Sequence, residues 1–124
     1  MTEIIISGAN GKMGTVTHNI IKEIDSFNIV GLYDPSYEDQ TPLYSEKESL
    51  PKSDLVVDFC TSDAIFDNCI YWQSVYKNII VGSSGLTKEN IAHLSSIILE
   101  DQLIWIVPNF SIGSVLQKRW ATEA

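Results

Sequence analysis

Basic residues are scarce in this chain of 124: eight Lys and Arg stand against sixteen Asp and Glu, a formal net charge of -8. Such a balance repels a phosphodiester backbone or an anionic bilayer, so neither nucleic acid nor membrane is expected as a partner. Cysteine is scarce too. Cys60 and Cys69 form no CxxC pair and no Cys/His spacing, which argues against a disulfide framework and a zinc site and leaves them as small buried hydrophobes. His18 and His93 stand alone, each without a second metal ligand nearby. No apolar run approaches the ~20 residues of a membrane span. The opening MTEIIIS carries an acid where a secretory signal carries basic residues, and the chain reads as cytoplasmic. Internal repeats and low-complexity tracts are lacking, and the length is that of about one domain.

What is present is an alternation of short β-branched apolar runs with longer segments of helical period, which predicts an α/β fold of Rossmann type: a doubly wound, mostly parallel sheet with helices on both faces. The runs Glu3 to Ser7, Asn28 to Asp34, Asp54 to Phe59, Asn78 to Gly82 and Leu103 to Val107 read as strands. Between them, Met13, Val16, Ile20, Ile21 and Ile24 read as the inward face of one helix, Ile65, Cys69, Trp72 and Tyr76 as that of a second, and Ile91, Leu94 and Ile98 as that of a third. Thr61 or Ser62 is the expected cap of the second helix and Thr87 of the third. Pro35 to Ser53 reads as loop with one short strand, and Ser114 to Ala124 as a helix.

The stretch ISGANGKMGTV places Gly8, Gly11 and Gly14 between a predicted strand and a predicted helix, the context a dinucleotide fingerprint requires. The first glycine permits a tight turn, the second lets backbone approach a pyrophosphate, and the third lets helix and strand pack closely. Gly8, Ala9, Asn10, Gly11, Lys12 and Met13 are therefore the expected phosphate cradle, with free N–H groups of Gly11, Lys12 and Met13 at the helix mouth. The plainer reading is ordinary turn chemistry. Asp34 follows Gly14 at the ~20-residue distance of the acid that bonds an adenosine ribose. Its carboxylate would accept from both ribose hydroxyls and repel a 2'-phosphate. Pro35, Ser36 and Tyr37 supply no cation, so NADH is favoured over NADPH. An Asp-Pro turn is the alternative.

Three further turns, Asp58 to Thr61, Gly82 to Gly85 and Val107 to Ser111, follow strands and should line one crevice at the strands' carboxyl ends. In series, GANGKMG, Asp34, VDFCTSDA, VGSSGLT and VPNFSIGSVL resemble the amino-terminal domain of the bacterial 4-hydroxy-tetrahydrodipicolinate reductases. VGSSGLT is similar to that family's VGTTG segment, and PNFSIG to its NFS-x-G segment. The resemblance covers nearly the whole chain and implies an NADH- or NADPH-dependent reduction on the route to diaminopimelate and lysine. By position, it implies that Gly8 to Met13 hold the pyrophosphate and Asp34 the ribose. Phe59, Gly82, Ser83, Ser84, Val107, Pro108, Asn109 and Phe110 would surround the nicotinamide. Ser83 and Ser84 stand where the family usually has threonines, and Cys60 where a threonine often follows the phenylalanine.

The family's catalytic residues lie in a second domain, with paired histidines, a lysine and a Ser-Gly-Thr turn that have no counterpart here. Residues 1 to 124 are thus expected to be the cofactor-binding half of a longer enzyme, inactive alone and without the family's second-domain homotetramer contacts. Ile112, Val115, Leu116 and Trp120 are candidates for an apolar surface facing that domain. The other readings are a non-catalytic Rossmann module binding a nucleotide or coenzyme A, and a different dehydrogenase of the aspartate or homoserine pathway with a similar nucleotide half.

Overall fold

A computed structural model describes residues 1 to 107. Six strands form one parallel sheet: β1 Thr2–Ser7, β2 Phe27–Tyr33, β3 Leu43–Tyr44, β4 Leu55–Asp58, β5 Asn78–Val81 and β6 Leu103–Ile106. The helices are α1 Lys12–Ile21, α2 Ile65–Val75 and α3 Lys88–Ile97. The spatial order is β3-β2-β1-β4-β5-β6, so the winding reverses between β1 and β4. This is the doubly wound arrangement whose ligands bind outside the strands' carboxyl ends at the reversal.

The near-continuous apolar runs form central strands because both sheet faces are covered. Side chains alternate between two cores: Ile4, Ile6, Leu55, Val57 and Ile80 join Ile21 on one face, while Ile5, Val56, Ile79 and Val81 join Ile65, Cys69, Trp72, Tyr76 and Leu94 on the other. Each fully buried aliphatic side chain contributes roughly 1.5–3 kcal/mol. Trp72 anchors the second core, meeting Tyr33 and Tyr71 edge-on at centroid distances of 6.0 and 5.5 Å.

The inward faces of α1 and α3 differ from expectation. On α1 the buried positions are Gly14, Thr17 and Ile21, while Val16 and Ile20 are exposed. Ile21 is buried as expected and Ile24 packs against the first core, while Gly14 and Thr17 take the remaining inward places because a Cβ at Gly14 has no room against the Gly8–Ala9 backbone. On α3 only Leu94 is buried; Ile91 is exposed, and Ile98 lies beyond the helix as its C-cap. Thr87 does cap α3, its hydroxyl accepting from the Asn90 N–H while the Asn90 side chain accepts from the Thr87 N–H. Neither Thr61 nor Ser62 caps α2. Ala64 occupies that position, and the Thr61 carbonyl, not its hydroxyl, accepts from Ala64 and Ile65. The helix reading of Ser114 to Ala124, and Ile112, Val115, Leu116 and Trp120 with it, lie outside the described residues.

Burial in the second core sets a pH response. It pushes the Cys69 thiol up to about 12, Asp58 adding to the effect, and the Tyr76 phenol up to about 12 with a smaller push from Tyr71. Folding therefore favours the neutral forms. The stability this contributes is complete below the ordinary thiol value of 9.0 and is lost as pH rises toward 12, because the unfolded chain releases those protons first. Urea unfolding midpoints should hold steady around neutrality and fall progressively above about pH 9. A midpoint that stays flat or rises through that interval would contradict this packing.

Candidate functional site

Register aligns the strands' carboxyl ends. Tyr33 pairs with Ser7, Ser7 with Asp58, Asp58 with Val81, and Val81 with Ile106. The next residue of each chain segment therefore stands in one row: Asp34, Gly8, Phe59, Gly82 and Val107. Backbone bonds carry the row one step past the sheet, from Gly8 N–H to the Tyr33 carbonyl at 2.9 Å, Phe59 N–H to Ser7 at 2.9 Å, Gly82 N–H to Asp58 at 2.9 Å and Val107 N–H to Val81 at 2.9 Å.

Two cavities lie along this edge. The first, about 350 Å³, is lined by Gly8, Gly11, Asp34, Ser36, Phe59 and neighbouring residues that include Cys60, Thr61 and Asn68. The second, about 240 Å³, is lined by Met13, Phe59, Cys60, Thr61, Ser62, Gly82, Ser83 and Ser84. They share Phe59, Cys60 and Thr61, so they form successive parts of one crevice across the sheet's reversal. Among the residues read from the sequence, Ala9, Asn10 and Lys12 line neither cavity. Val107 packs against the first core, and Pro108, Asn109 and Phe110 lie outside the described residues.

The glycine turn is close-fitted. Gly8 has φ +74°, a left-handed conformation that favours glycine, and a Cβ there would meet the Phe59 carbonyl carbon at 2.7 Å. A Cβ on Gly14 would overlap the Gly8 carbonyl oxygen and lie 2.7 Å from the Ala9 Cα. Gly11 is different: its nearest neighbour would be the Gly8 oxygen at 3.4 Å, so its missing side chain leaves room on the crevice side. The expectation of a free Gly11 N–H is corrected, since that group donates to the Gly8 carbonyl at 3.1 Å and closes the turn. Lys12 and Met13, at the first two helical positions, have no carbonyl within α1 to donate to, and their amides remain for an anion.

Asp34 is held by its own neighbours. Its Oδ1 accepts from the Ser36 amide at 3.0 Å and hydroxyl at 2.8 Å, and its Oδ2 from the Asn10 amide at 3.1 Å. The Asn10 side-chain amide donates in turn to the Ser36 hydroxyl at 2.8 Å. A carboxylate offers about four acceptor positions. Three are used here, so one position is left for an incoming hydroxyl, and the expected pair of bonds to both ribose hydroxyls is corrected to one.

Cys60, which lines both cavities, is held in its neutral thiol form. Burial, the Asp58 charge and a hydrogen bond to Asp58 all raise it, outweighing a bond from Asn68. Cys60 lines the crevice as expected of the Asp58–Thr61 turn, whereas nothing in the sequence points to Asn68, which lies 60 positions beyond Gly8 and reaches the crevice only through the winding of α2. No His/Cys/Asp/Glu cluster among the described residues could hold a metal, and no helix among them is long and apolar enough to cross a membrane.

The family model "Dihydrodipicolinate reductase, N-terminus" matches residues 2–110. The chain belongs to that family. Curated relatives of the chain include the 4-hydroxy-tetrahydrodipicolinate reductase of Enterococcus faecalis, 29% identical over 100% of this chain and 52% of the relative. That of Streptococcus gordonii is 32% identical over 98% of this chain and 51% of the relative. The chain thus spans about half the length of the curated relatives it matches. A solved structure, dipicolinate-bound dihydrodipicolinate reductase from Paenisporosarcina sp. TG-14, has a TM-score of 0.78 at 22% identity, covering 94% of this chain and 50% of that one, and supports the fold.

Proposed function

We propose that this chain is the NAD(P)H-binding half of a 4-hydroxy-tetrahydrodipicolinate reductase acting in diaminopimelate and lysine biosynthesis. The observation that carries the reading is the single crevice running from Asp34, past the glycine turn and the sheet's reversal, to Ser83 and Ser84 after β5. A reduced nicotinamide supplies a hydride when bound. The chain's own residues would bind and orient it: the amides of Lys12 and Met13 would hold the pyrophosphate and Asp34 would accept from the adenosine ribose, while the Phe59 and Gly82 turns bound the second cavity. Asp34 stands without a neighbouring cation at Pro35, Ser36 or Tyr37, which supports NADH over NADPH.

Hydride transfer also needs an acceptor held in place and a proton donor near it. Those groups, the substrate contacts and any homotetramer interface are assigned to the remainder of the longer protein. The full-length enzyme should oxidise NADH when 4-hydroxy-tetrahydrodipicolinate is added, whereas residues 1 to 124 alone should not. Turnover by the shorter chain would refute the division of labour, and a full-length protein inert toward the substrate would refute the activity.

A further inference from the structure

Asp58, the last residue of β4, is fully buried and lines neither cavity, so the expectation that the Asp58–Thr61 turn lines the crevice is corrected to Phe59–Thr61. Its carboxylate accepts from the Cys60 amide at 2.8 Å and from the Trp72 indole Nε1–H at 2.6 Å, and bonds the Cys60 thiol. Its backbone carbonyl accepts from the Gly82 amide at 2.9 Å and the Ser83 hydroxyl at 3.4 Å. The same Ser83 hydroxyl reaches the Cys60 carbonyl at 2.7 Å. One residue thus grips both turns around the second cavity and fastens them to the largest side chain of the core. Phe59 completes the fit: a Cβ on Gly82 would come within 2.7 Å of the ring's Cδ1.

A buried carboxylate is a costly element for a core that already has an apolar partner in Trp72, and its bonds to N–H groups are stronger than those of a neutral acceptor. What it provides is two diverging acceptors on one rigid stem, one aimed into the core and one at the turn. We propose that Asp58 is the positioning residue for the nicotinamide end of the crevice, fixing the gap between the Phe59–Thr61 and Gly82–Ser84 turns without touching the cofactor. This rests on the dinucleotide reading above. Asparagine at this position keeps the shape but turns one acceptor into a donor, so either the Cys60 amide or the indole loses its partner.

The test titrates the full-length protein with NADH and with ADP-ribose, which shares the adenosine and pyrophosphate but lacks the nicotinamide. Asp58→Asn should weaken NADH binding about tenfold, the loss expected for one charge-assisted hydrogen bond, and leave ADP-ribose binding within about twofold. Equal loss of both ligands would mark a merely structural residue, and loss of neither would remove the role altogether. Should the variant fail to fold, the wild-type protein decides: the Trp72 indole proton resonance should shift with saturating NADH and hold with ADP-ribose. Equal shifts, or none with NADH, would overturn the proposal. A folded wild-type protein that binds neither nucleotide would take down the dinucleotide reading itself, and this inference with it.

Discussion

Gly14→Ala should damage both folding and nucleotide binding, the largest effect expected of any single methyl group in the described chain. The added carbon would occupy the space of the Gly8 carbonyl oxygen, which is backbone and unable to rotate away. α1 must then lift from β1, exposing apolar surface around Ile21 and carrying the Lys12 and Met13 amides off the crevice. Overpacking of this kind costs about 1–3 kcal/mol. Displacing two charge-facing amides adds a loss of NADH affinity on the order of a hundredfold. Gly11→Ala is the informative companion, because its Cβ would face the crevice with its nearest contact at 3.4 Å. That variant should melt near the wild-type temperature and still bind NADH poorly. Urea unfolding and NADH fluorescence, measured on both, check the pair; equal stability loss in the two would show that the glycines serve the fold alone.

Asp34→Ala should weaken NADH binding about 10- to 100-fold, the range of a charged hydrogen bond worth ~1.5–3 kcal/mol. NADPH should lose less, so the preference moves toward it. Two effects act in that direction. The carboxylate no longer repels a 2'-phosphate, and the Asn10 amide, the Ser36 amide and the Ser36 hydroxyl, all now donating to Asp34, become available to an anion. Stability should change little because the position is only partly buried. Parallel titrations with the two nucleotides check this; proportionate loss of both would mean that Asp34 shapes the turn and leaves the ribose alone.

What could be read from the sequence divides along physical lines. The central strands announce themselves because both faces are buried, so runs such as Ile4–Ile6 and Leu55–Val57 are apolar throughout. Gly8, Asp34, Phe59 and Gly82 could be brought to one edge by counting strands, since a parallel sheet puts every carboxyl end on the same side. Two inward positions of α1 escaped, because Gly14 has no side chain to count and Thr17 is polar. Hydrophobicity selected Ile21, which is buried, and Ile24, which packs against the first core, but it also selected Val16 and Ile20, which are exposed. Ile91 and Ile98 misled in the same manner on α3, a helix near the end of the sheet with little to cover.

Polar pairings at long range were equally hidden. Asp58 looks like an ordinary strand terminus until Trp72, on α2, brings an indole N–H to it at 2.6 Å. The Asn10–Ser36–Asp34 network joins the first turn to the second across 26 positions, and nothing in either turn signals the other. Thr61 has the right side chain for a cap, yet the turn after β4 uses its carbonyl instead.

The central claim, that amides at the entrance of α1 and the Asp34 carboxylate grip a reduced pyridine dinucleotide, is tested most directly by titrating the purified chain with NADH and following nicotinamide fluorescence. The account predicts saturable binding well below about millimolar concentrations, with NADPH weaker. A cooperatively folded chain that leaves NADH fluorescence unchanged at millimolar levels would contradict it.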